Sequence, residues 1–364
     1  MRGLPVTVNA RPRLVRVDPA APDPAIIAEA AAIIKRGGLV AFPTETVYGL
    51  GANALDAGAA EGIFAAKQRS RDDPLIVHLA SPDELDAIVA EVPPTARALA
   101  ARFWPGPLTL VLPKRPIVPD IVTAGLPSVA VRVPSHAVAQ ALLRAAGLPI
   151  AAPSANLFTR SSATTAQHVL EDLGDRVDLI LDGGPTPVGI ESTVVAATSG
   201  EVRLLRPGAV TPEAIAEALA ALDEPVPLAL GPVGRAASPG LLAKHYSPRA
   251  SLFLVAGEPA EARRELGAAV ERAVASGRRV GLLLAEEDAP SFADLSGQVT
   301  CITLGSERDL GRVARRLFAA LRELDAAGCD AIYARSFGTA GLGLAIMDRL
   351  TRAAHRDPTS PPGA

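Results

Sequence analysis

The sequence predicts an α/β protein of two unequal domains: a twisted mixed sheet with flanking helices, then a smaller, mostly parallel α/β domain. Three observations carry this. The chain has 364 residues, and at ~150 residues per domain that length suits two domains, or three at most. In the first part several strand-like runs follow one another with no helix between them, which a purely parallel sheet does not allow. From Ser251 onward strands and helices alternate regularly, the rhythm of a parallel sheet with crossover helices.

The elements follow in order. Residues 24–36 read as a helix: Asp23 caps it, Pro24 takes its first position, apolar residues recur, and Gly37-Gly38 ends it. Residues 39–42 are a short apolar strand stopped by Pro43, 57–67 a helix and 75–79 a strand. Ser81-Pro82 opens another helix by the same cap-then-proline logic. Strands are expected near 108–112, 128–133, 149–152, 178–182, 191–196 and 202–205, with helices near 135–146, 164–173 and 211–221. Residues 222–249 have the proline- and glycine-rich composition of a linker, yet they hold Lys244-His245-Tyr246-Ser247. A linker of that length is either disordered or functional. Beyond it come strand 251–256, helix 258–276, strands 279–284 and 299–303, helix 306–326, strand 330–334 and helix 340–354, with a frayed tail over 355–364. The expected division is therefore 1–221, a linker over 222–249, and 250–364.

Composition removes several function classes. The formal net charge is −3 and the hydrophobic fraction 49%, which suits a packed core but not a basic sleeve for nucleic acid. No apolar run reaches the ~18 residues of a membrane span. Cys301 and Cys329 are the only cysteines and make no disulfide framework or metal spacing. Arg2, Arg11, Arg13 and Arg16 precede the first acid, Asp18; they read as a short basic arm rather than a transit peptide, and the cytoplasm is the expected compartment. There is no G-x-x-x-x-G-K-[S/T] loop, H-E-x-x-H or G-x-S-x-G, and the five histidines show no ligand spacing. The run Gly338-x-x-Gly341-x-Gly343 starts the terminal helix, since too little chain follows it for a ~30-residue dinucleotide-binding unit.

Polar clusters at strand ends carry the chemistry. Pro43–Gly51, P-T-E-T-V-Y-G-L-G, follows a strand; it reads as a site at a sheet edge, where glycines let backbone approach a ligand, or as a turn in which Thr46 bonds its own backbone. Lys67, Arg69 and Arg71 fall within five residues. They suit a phosphate clamp or, equally, a solvated helix end favoured by the helix dipole. Lysine occurs only at positions 35, 67, 114 and 244 of a chain whose default cation is arginine, a weak sign that Lys67 and Lys244 are kept for a compact charge. His78 lies on an apolar strand, where a core histidine is the ordinary reading. Trp104-Pro105-Gly106-Pro107 reads as a rigid turn with an aromatic anchor. Ser128, Ala130 and Arg132 share one strand face, and an arginine there needs a carboxylate, an anion or solvent. Ala152-Pro153-Ser154-Ala155-Asn156, with Ser161, Ser162, Thr164 and Thr165 after it, makes a neutral anion cradle or a set of helix caps. Glu191-Ser192-Thr193-Val194 opens a strand, and Arg206-Pro207-Gly208 closes the next.

Taken together these clusters resemble one family. F-P-T-E-T-V-Y-G-L-G at 42–51, K-x-R…D-x-P-L-I-V-H at 67–78, W-P-G-P-L-T at 104–109, P-S-A-N at 153–156, E-S-T-V-V at 191–195, R-P-G at 206–208 and H-Y-S-P at 245–248 are similar to the YrdC-like L-threonylcarbamoyladenylate synthases. The extra domain is similar to the Rossmann-like C-terminal part of their long form. The resemblance spans nearly the whole chain. It implies a nucleotidyltransferase that makes L-threonylcarbamoyl-AMP and pyrophosphate from L-threonine, bicarbonate or CO2, and ATP with Mg²⁺. That is the first step of a tRNA threonylcarbamoyladenosine modification that later proteins complete, with no membrane and no strong direct nucleic-acid binding. It places Thr44, His78, Arg132, the backbone near Ala152, and Ser192 on threonine. It places Lys67, Arg69, Asp73, Ser128, Ser154, Asn156, Ser162, Arg206 and Tyr246 on the nucleotide, with Lys67 and Arg69 catalytic, no protein-held metal, and the linker as a lid carrying Tyr246. The chain departs from the family pattern at Ser70, at Asp73, which adds a negative charge near the phosphates unless a metal or Arg71 offsets it, and at Leu157-Phe158-Thr159-Arg160-Ser161, which replaces a small glycine-containing turn. A narrower cradle or a displaced loop is expected there. Two other classes fit less well. An RNA-binding module would want a basic face, whereas acids slightly outnumber bases in both halves of this chain. A relative acting on carbamoyl phosphate would carry zinc-finger-like and acylphosphatase-like modules.

Overall fold

The computed structural model describes residues 13–198, 200–231, 245–295 and 297–354. The basic arm before Arg13, Lys244 and the 355–364 tail lie outside the described residues. The first domain is one mixed sheet of strands β1 (Arg13–Arg16), β2 (Val40–Phe42), β3 (Gly49–Asn53), β4 (Ile76–His78), β5 (Leu108–Pro113), β6 (Ser128–Arg132), β7 (Ile150–Ala151), β8 (Leu179–Asp182), β9 (Thr193–Ala197), β10 (Val202–Arg206) and β11 (Leu228–Leu230), in the order β1-β8-β2-β3-β7-β4-β6-β5-β9-β10-β11. Parallel pairs such as β4–β6 and β5–β9 alternate with antiparallel ones such as β5–β6 and β9–β10.

Its helices are α1 (Pro24–Lys35), α2 (Ala57–Lys67), α3 (Leu85–Ile88), α4 (Pro94–Phe103), α5 (Asp120–Thr123), α6 (Ala137–Ala146), α7 (Ala166–Leu173) and α8 (Pro212–Ala220). Capping starts several of them, at Asp23 and Ser81 as the sequence predicts and at Asp56 besides. The Asp23 carboxylate accepts from the backbone N–H of Ala25 at 2.8 Å, Asp56 does the same for α2, and Ser81 caps a single 3-10 turn that runs into α3. Helices α1 and α6 bury Ile27, Ile34, Val138 and Leu142 on one face of the sheet, each side chain stabilising the fold by roughly 1.5–3 kcal/mol.

Strands β1, β3 and β11 and helices α4 and α5 depart from the sequence expectation. Strand β3, G-L-G-A-N, lacks the β-branched residues that mark a strand. It holds because a Cβ on Gly51 would sit 2.7 Å from the Phe42 ring: the glycine is needed for close packing between neighbouring strands. Strand β11 lies in the proline-rich stretch and runs parallel to β10, so the start of the expected linker extends the sheet. Helix α8 packs against α4 beside it.

The second domain has β12 (Ser251–Val255), α9 (Pro259–Ala275), β13 (Val280–Ala285), β14 (Val299–Gly305), α10 (Leu310–Ala326), β15 (Ala331–Arg335) and α11 (Leu342–Ala353). Its four strands run parallel in the order β12-β15-β13-β14. Gly341 is the N-cap of α11, as the sequence reading of that glycine run requires, and its N–H donates to Glu213 of the first domain at 3.2 Å.

The two domains share a core. Val47, Ile190 and Tyr246 pack with Leu317 and Phe318 of α10. Polar contacts ring this seam: Arg322 donates to Asp172 at 2.6 Å and Arg315 to the Pro187 carbonyl at 2.7 Å. Gly189 has φ +83°, and a Cβ on it would lie 2.4 Å from the Arg315 Cα. Only glycine lets α10 come that close.

Candidate active site

Strand ends in the middle of the large sheet surround a narrow cavity. The β2–β3 turn brings Thr44, Thr46 and Gly49; β4 brings Ile76 and His78; β6 ends on Arg132. The exit of β7 supplies Ala152 and Ser154, the entry to β9 Glu191 and Ser192, and the end of β10 Arg206. Arg69 reaches in from beyond α2, and His245 and Tyr246 close the cavity from the segment before the second domain. Thr44, Arg69, Arg132 and Ser192 thus share one cavity.

Local hydrogen bonds set each side chain. The Thr44 hydroxyl donates to the Val47 carbonyl at 2.6 Å and accepts from the Thr46 N–H at 3.2 Å. The turn is therefore self-bonded and also faces the cavity, with Thr44, not Thr46, closing it. Arg132 donates to the Thr46 hydroxyl at 2.9 Å and to the Gly106 carbonyl at 3.2 Å. The W-P-G-P turn that presents this carbonyl is pinned by the Trp104 indole, which donates to the Leu108 carbonyl at 2.7 Å, as the aromatic-anchor reading expects. The Ser192 and Thr109 hydroxyls lie 2.8 Å apart, and Arg206 donates to the Ser192 carbonyl and hydroxyl at 3.0 and 3.2 Å.

Charge is the dominant property of the site. Lys67, Arg69, Arg132, Arg206 and Arg349 are all buried, with Glu45, Asp73 and Glu191 among them. Each carboxylate pairs with one arginine: Arg132 with Glu45 at 2.7 Å, Arg69 with Asp73 at 2.8 Å, and Arg349 with Glu191 at 2.7 Å. Arg349 also donates to Asp348 at 2.6 Å. Three guanidinium groups, those of Arg69, Arg132 and Arg206, line the cavity itself beside one carboxylate, Glu191, a lining suited to an anionic ligand. Burial raises the Glu45 carboxyl, but Arg132 outweighs it and holds the group below its usual range. Burial, reinforced by Arg132, pushes His78 down to about 3. Its Nδ1 lies 3.2 Å from the Ile76 carbonyl, so His78 is a neutral, satisfied core histidine that also lines the cavity.

Several residues assigned by resemblance act from behind the wall. Lys67, expected as a phosphate cation, points its ammonium at the Ser154 and Asn156 carbonyls. Burial beside Arg69 lowers its pKa well below the ordinary lysine value. Lys67 therefore braces the P-S-A-N turn and does not line the cavity. The Asn156 amide donates to the Leu157 and Arg160 carbonyls at 2.8 and 2.9 Å, and the Ser162 hydroxyl donates to Glu191. Asp73 faces Arg69, while Arg71, an expected counter-ion for it, pairs with Glu61 at the surface. Ser128 stands at the other end of β6 from Arg132, about 13 Å away along a strand of ~3.3 Å per residue, and does not line the cavity either. The altered turn keeps its bulk inside the packing. Phe158 lies 5.8 Å beneath the Arg69 guanidinium and edge-on to His245 at 6.1 Å, Thr159 takes φ +68°, in the left-handed region that favours glycine, and Arg160 turns toward Asp172 at 3.7 Å.

Sequence reasoning missed Glu191, His245 and above all Arg349, which comes from α11 of the other domain. Tyr246 is buried against the Phe318 ring at 5.5 Å with φ +63°, and the Ser247 N–H donates to the Thr159 carbonyl at 2.7 Å. Burial, with Glu191 nearby, pushes the Tyr246 phenol up to about 12. Burial lowers the Arg349 pKa, but Tyr246 and Glu191 outweigh it and leave the guanidinium firmly charged. Local sequence carries no signal for such a contact between Glu191 and a residue of the terminal helix.

Known proteins share this sequence pattern and fold. Residues 32–208 match a family profile described as telomere recombination, and 210–355 one described as the threonylcarbamoyl-AMP synthase C-terminal domain. The threonylcarbamoyl-AMP synthase of Pyrococcus abyssi is 43% identical over 325 residues, covering 89% of this chain and 92% of the relative. That of Bacillus subtilis is 44% identical over 329 residues, covering 90% and 92%. The crystal structure of P. abyssi Sua5 complexed with L-threonine superposes with a TM-score of 0.85 at 41% identity, covering 94% of this chain and 97% of that one. The chain belongs to the threonylcarbamoyl-AMP synthase family, the enzymes of the first step of tRNA threonylcarbamoyladenosine formation, and its two parts match the two profiles together.

Proposed function

We propose that this enzyme is a nucleotidyltransferase that joins L-threonine, bicarbonate or CO2, and ATP into L-threonylcarbamoyl-AMP, with release of pyrophosphate. The observation that carries the reading is the convergence of Arg69, Arg132 and Arg206 with Thr44, Ser154 and Ser192 on one cavity. The relative solved with L-threonine supports the amino-acid half of it.

In this reading threonine is first carboxylated on nitrogen. One oxygen of the new carbamate attacks the α-phosphorus, forming a P–O bond, while the bond from that phosphorus to the bridging oxygen breaks and pyrophosphate leaves. A carbamate is a weak and short-lived nucleophile, so positioning, exclusion of water and neutralisation of charge do most of the catalysis. Arg132 holds the threonine carboxylate with Thr44, Ser192 and the Ala152 backbone, and neutral His78 packs beside it. Arg69, Arg206 and Ser154 face the phosphates. Lys67, Asp73, Asn156 and Ser162 keep these groups in place from behind, and Tyr246 closes over the nucleotide as part of a lid.

Magnesium enters as a companion of the phosphates, because Mg²⁺ keeps most of its waters and prefers phosphate oxygens to an all-protein cage. The chain's own carboxylates do not fit a protein-held ion. The described residues contain no cluster of metal-binding side chains, and Glu45, Asp73 and Glu191 are each engaged by an arginine. No helix of the described residues is long and apolar enough to cross a membrane, and the reading places the reaction in the cytoplasm, with later tRNA-modifying proteins consuming the adenylate.

The test is incubation with ATP, Mg²⁺, bicarbonate and either threonine or serine, with mass-spectrometric detection of the adenylate. A threonine-dependent adenylate is expected; its absence under these conditions overturns the reading.

A further inference from the structure

The C-terminal domain places one side chain at the heart of the other domain's site. The Arg349 side chain is shielded from solvent. Its Nε donates to Glu191 Oε2 at 2.7 Å and its Nη1 to the Pro207 carbonyl at 3.0 Å. Its guanidinium carbon lies 5.1 Å from the centre of the Tyr246 ring, and its buried Nη2 has no hydrogen-bond partner among the described residues. Nη1 also donates to Asp348 of its own helix at 2.6 Å, and the three contacts outside α11 each lead to a different part of the cavity wall. Glu191 accepts from Ser162 and precedes Ser192, Pro207 follows Arg206, and Tyr246 is the covering ring. A rigid, planar, permanently charged fork is the side chain suited to hold three such groups at once.

We infer that Arg349 is a positioning residue of the active site, through which seating of the C-terminal domain orders Glu191, Arg206 and Tyr246 for the nucleotide. The inference rests on the proposed assignment of Arg206 and Tyr246 to ATP. It gives the second domain a definite role in the reaction. Without that domain Glu191 would be a buried carboxylate lacking its arginine, and the Tyr246 ring would lose the cation beneath it. Of the threonine-side groups, Ser192 adjoins this network through Glu191 and Arg206, whereas Thr44, His78 and Arg132 are held by Val47, Ile76, Thr46, Gly106 and Glu45, so ATP is expected to respond more strongly than threonine.

The experiment compares the full-length protein with Arg349→Lys, Arg349→Met and the double variant Glu191→Gln with Arg349→Met. The readouts are thermal unfolding, calorimetric binding of a non-hydrolysable ATP analogue, and KM for ATP and for threonine. Arg349→Met is expected to weaken analogue binding and raise KM for ATP at least ~10-fold, the scale of a lost charged contact, with threonine KM changed less than ~3-fold. Arg349→Lys should recover part of the loss. The double variant, which buries no lone charge, should regain thermal stability but not ATP affinity. Recovery of both by the double variant would assign Arg349 to folding alone and overturn the inference. So would a folded Arg349→Met that binds the analogue like the unaltered protein. An unaltered protein that fails to bind the analogue at all would instead overturn the assignment of the cavity to ATP.

Discussion

Arg69 and Asp73 form an ion pair at 2.8 Å in which both side chains are almost fully buried. The pair neutralises the acid that departs from the family pattern, and the Arg69 guanidinium also donates to the Asp73 and Pro74 carbonyls at 3.1 and 2.9 Å. Asp73 therefore aims Arg69 at the cavity instead of competing with the phosphates.

Arg69→Ala should lower threonine-dependent pyrophosphate release at least ~10-fold, the scale of a lost charged ligand contact. It should also destabilise the fold by about 3–5 kcal/mol, because a buried carboxylate loses its arginine. Adding Asp73→Asn should return most of the stability and none of the turnover. Normal turnover in Arg69→Ala would take Arg69 out of the site.

His78 sets an acid limit on stability. Its folded-state pKa is lowered to about 3 from an ordinary 6.5, so between those values the unfolded chain binds a proton that the folded chain refuses. Stability is fully present above about pH 6.5 and falls as pH drops toward 3, by up to about 1.4 kcal/mol per unit for this group. Urea unfolding from pH 7 to 4 should show that slope, and His78→Gln should reduce it, the remainder coming from His136, His168 and His245, whose burial also lowers their pKa. Equal slopes in the two proteins would remove His78 as the cause.

Gly189 should be intolerant of any side chain. Its φ of +83° and the 2.4 Å approach to the Arg315 Cα leave a methyl group nowhere to go, since the neighbour is backbone. Gly189→Ala is expected to loosen the seam between the domains while each stays folded, seen as faster proteolysis near the domain junction and a drop in turnover. Unchanged proteolysis and turnover would show that α10 can retreat at no cost.

A chain cut before Gly231 should be inactive even where the first domain folds, because it lacks both Tyr246 and Arg349. Tyr246→Ala in the intact chain separates the two losses and should raise KM for ATP more than KM for threonine. Full activity in the truncated chain would show that the covering segment is no lid.

Much of this was written locally in the sequence. Caps at Asp23 and Asp56, a proline in the first turn of α1, and apolar strands ending in polar clusters depend on neighbours a few residues away. The helix over 57–67 and the strand–helix rhythm after Ser251 could therefore be read directly. Strand β3 could not, because its glycines answer to Phe42 and Ile150 across the sheet, and β11 was hidden by the proline-rich composition around it.

The sequence by itself determined which residues carry charge and which turns present them: Thr44, Arg132, Ser154, Ser192 and Arg206 stand at or beside strand ends, and Arg69 just beyond the end of α2. Tertiary structure alone decided their division of labour. It turned Lys67 inward onto two carbonyls, gave Glu45 to Arg132, left Ser128 at the far end of its strand, and brought Arg349 beside Glu191. The physical reason is that a buried charge must find its partner in space, and that partner is chosen by packing across the fold and not by distance along the chain.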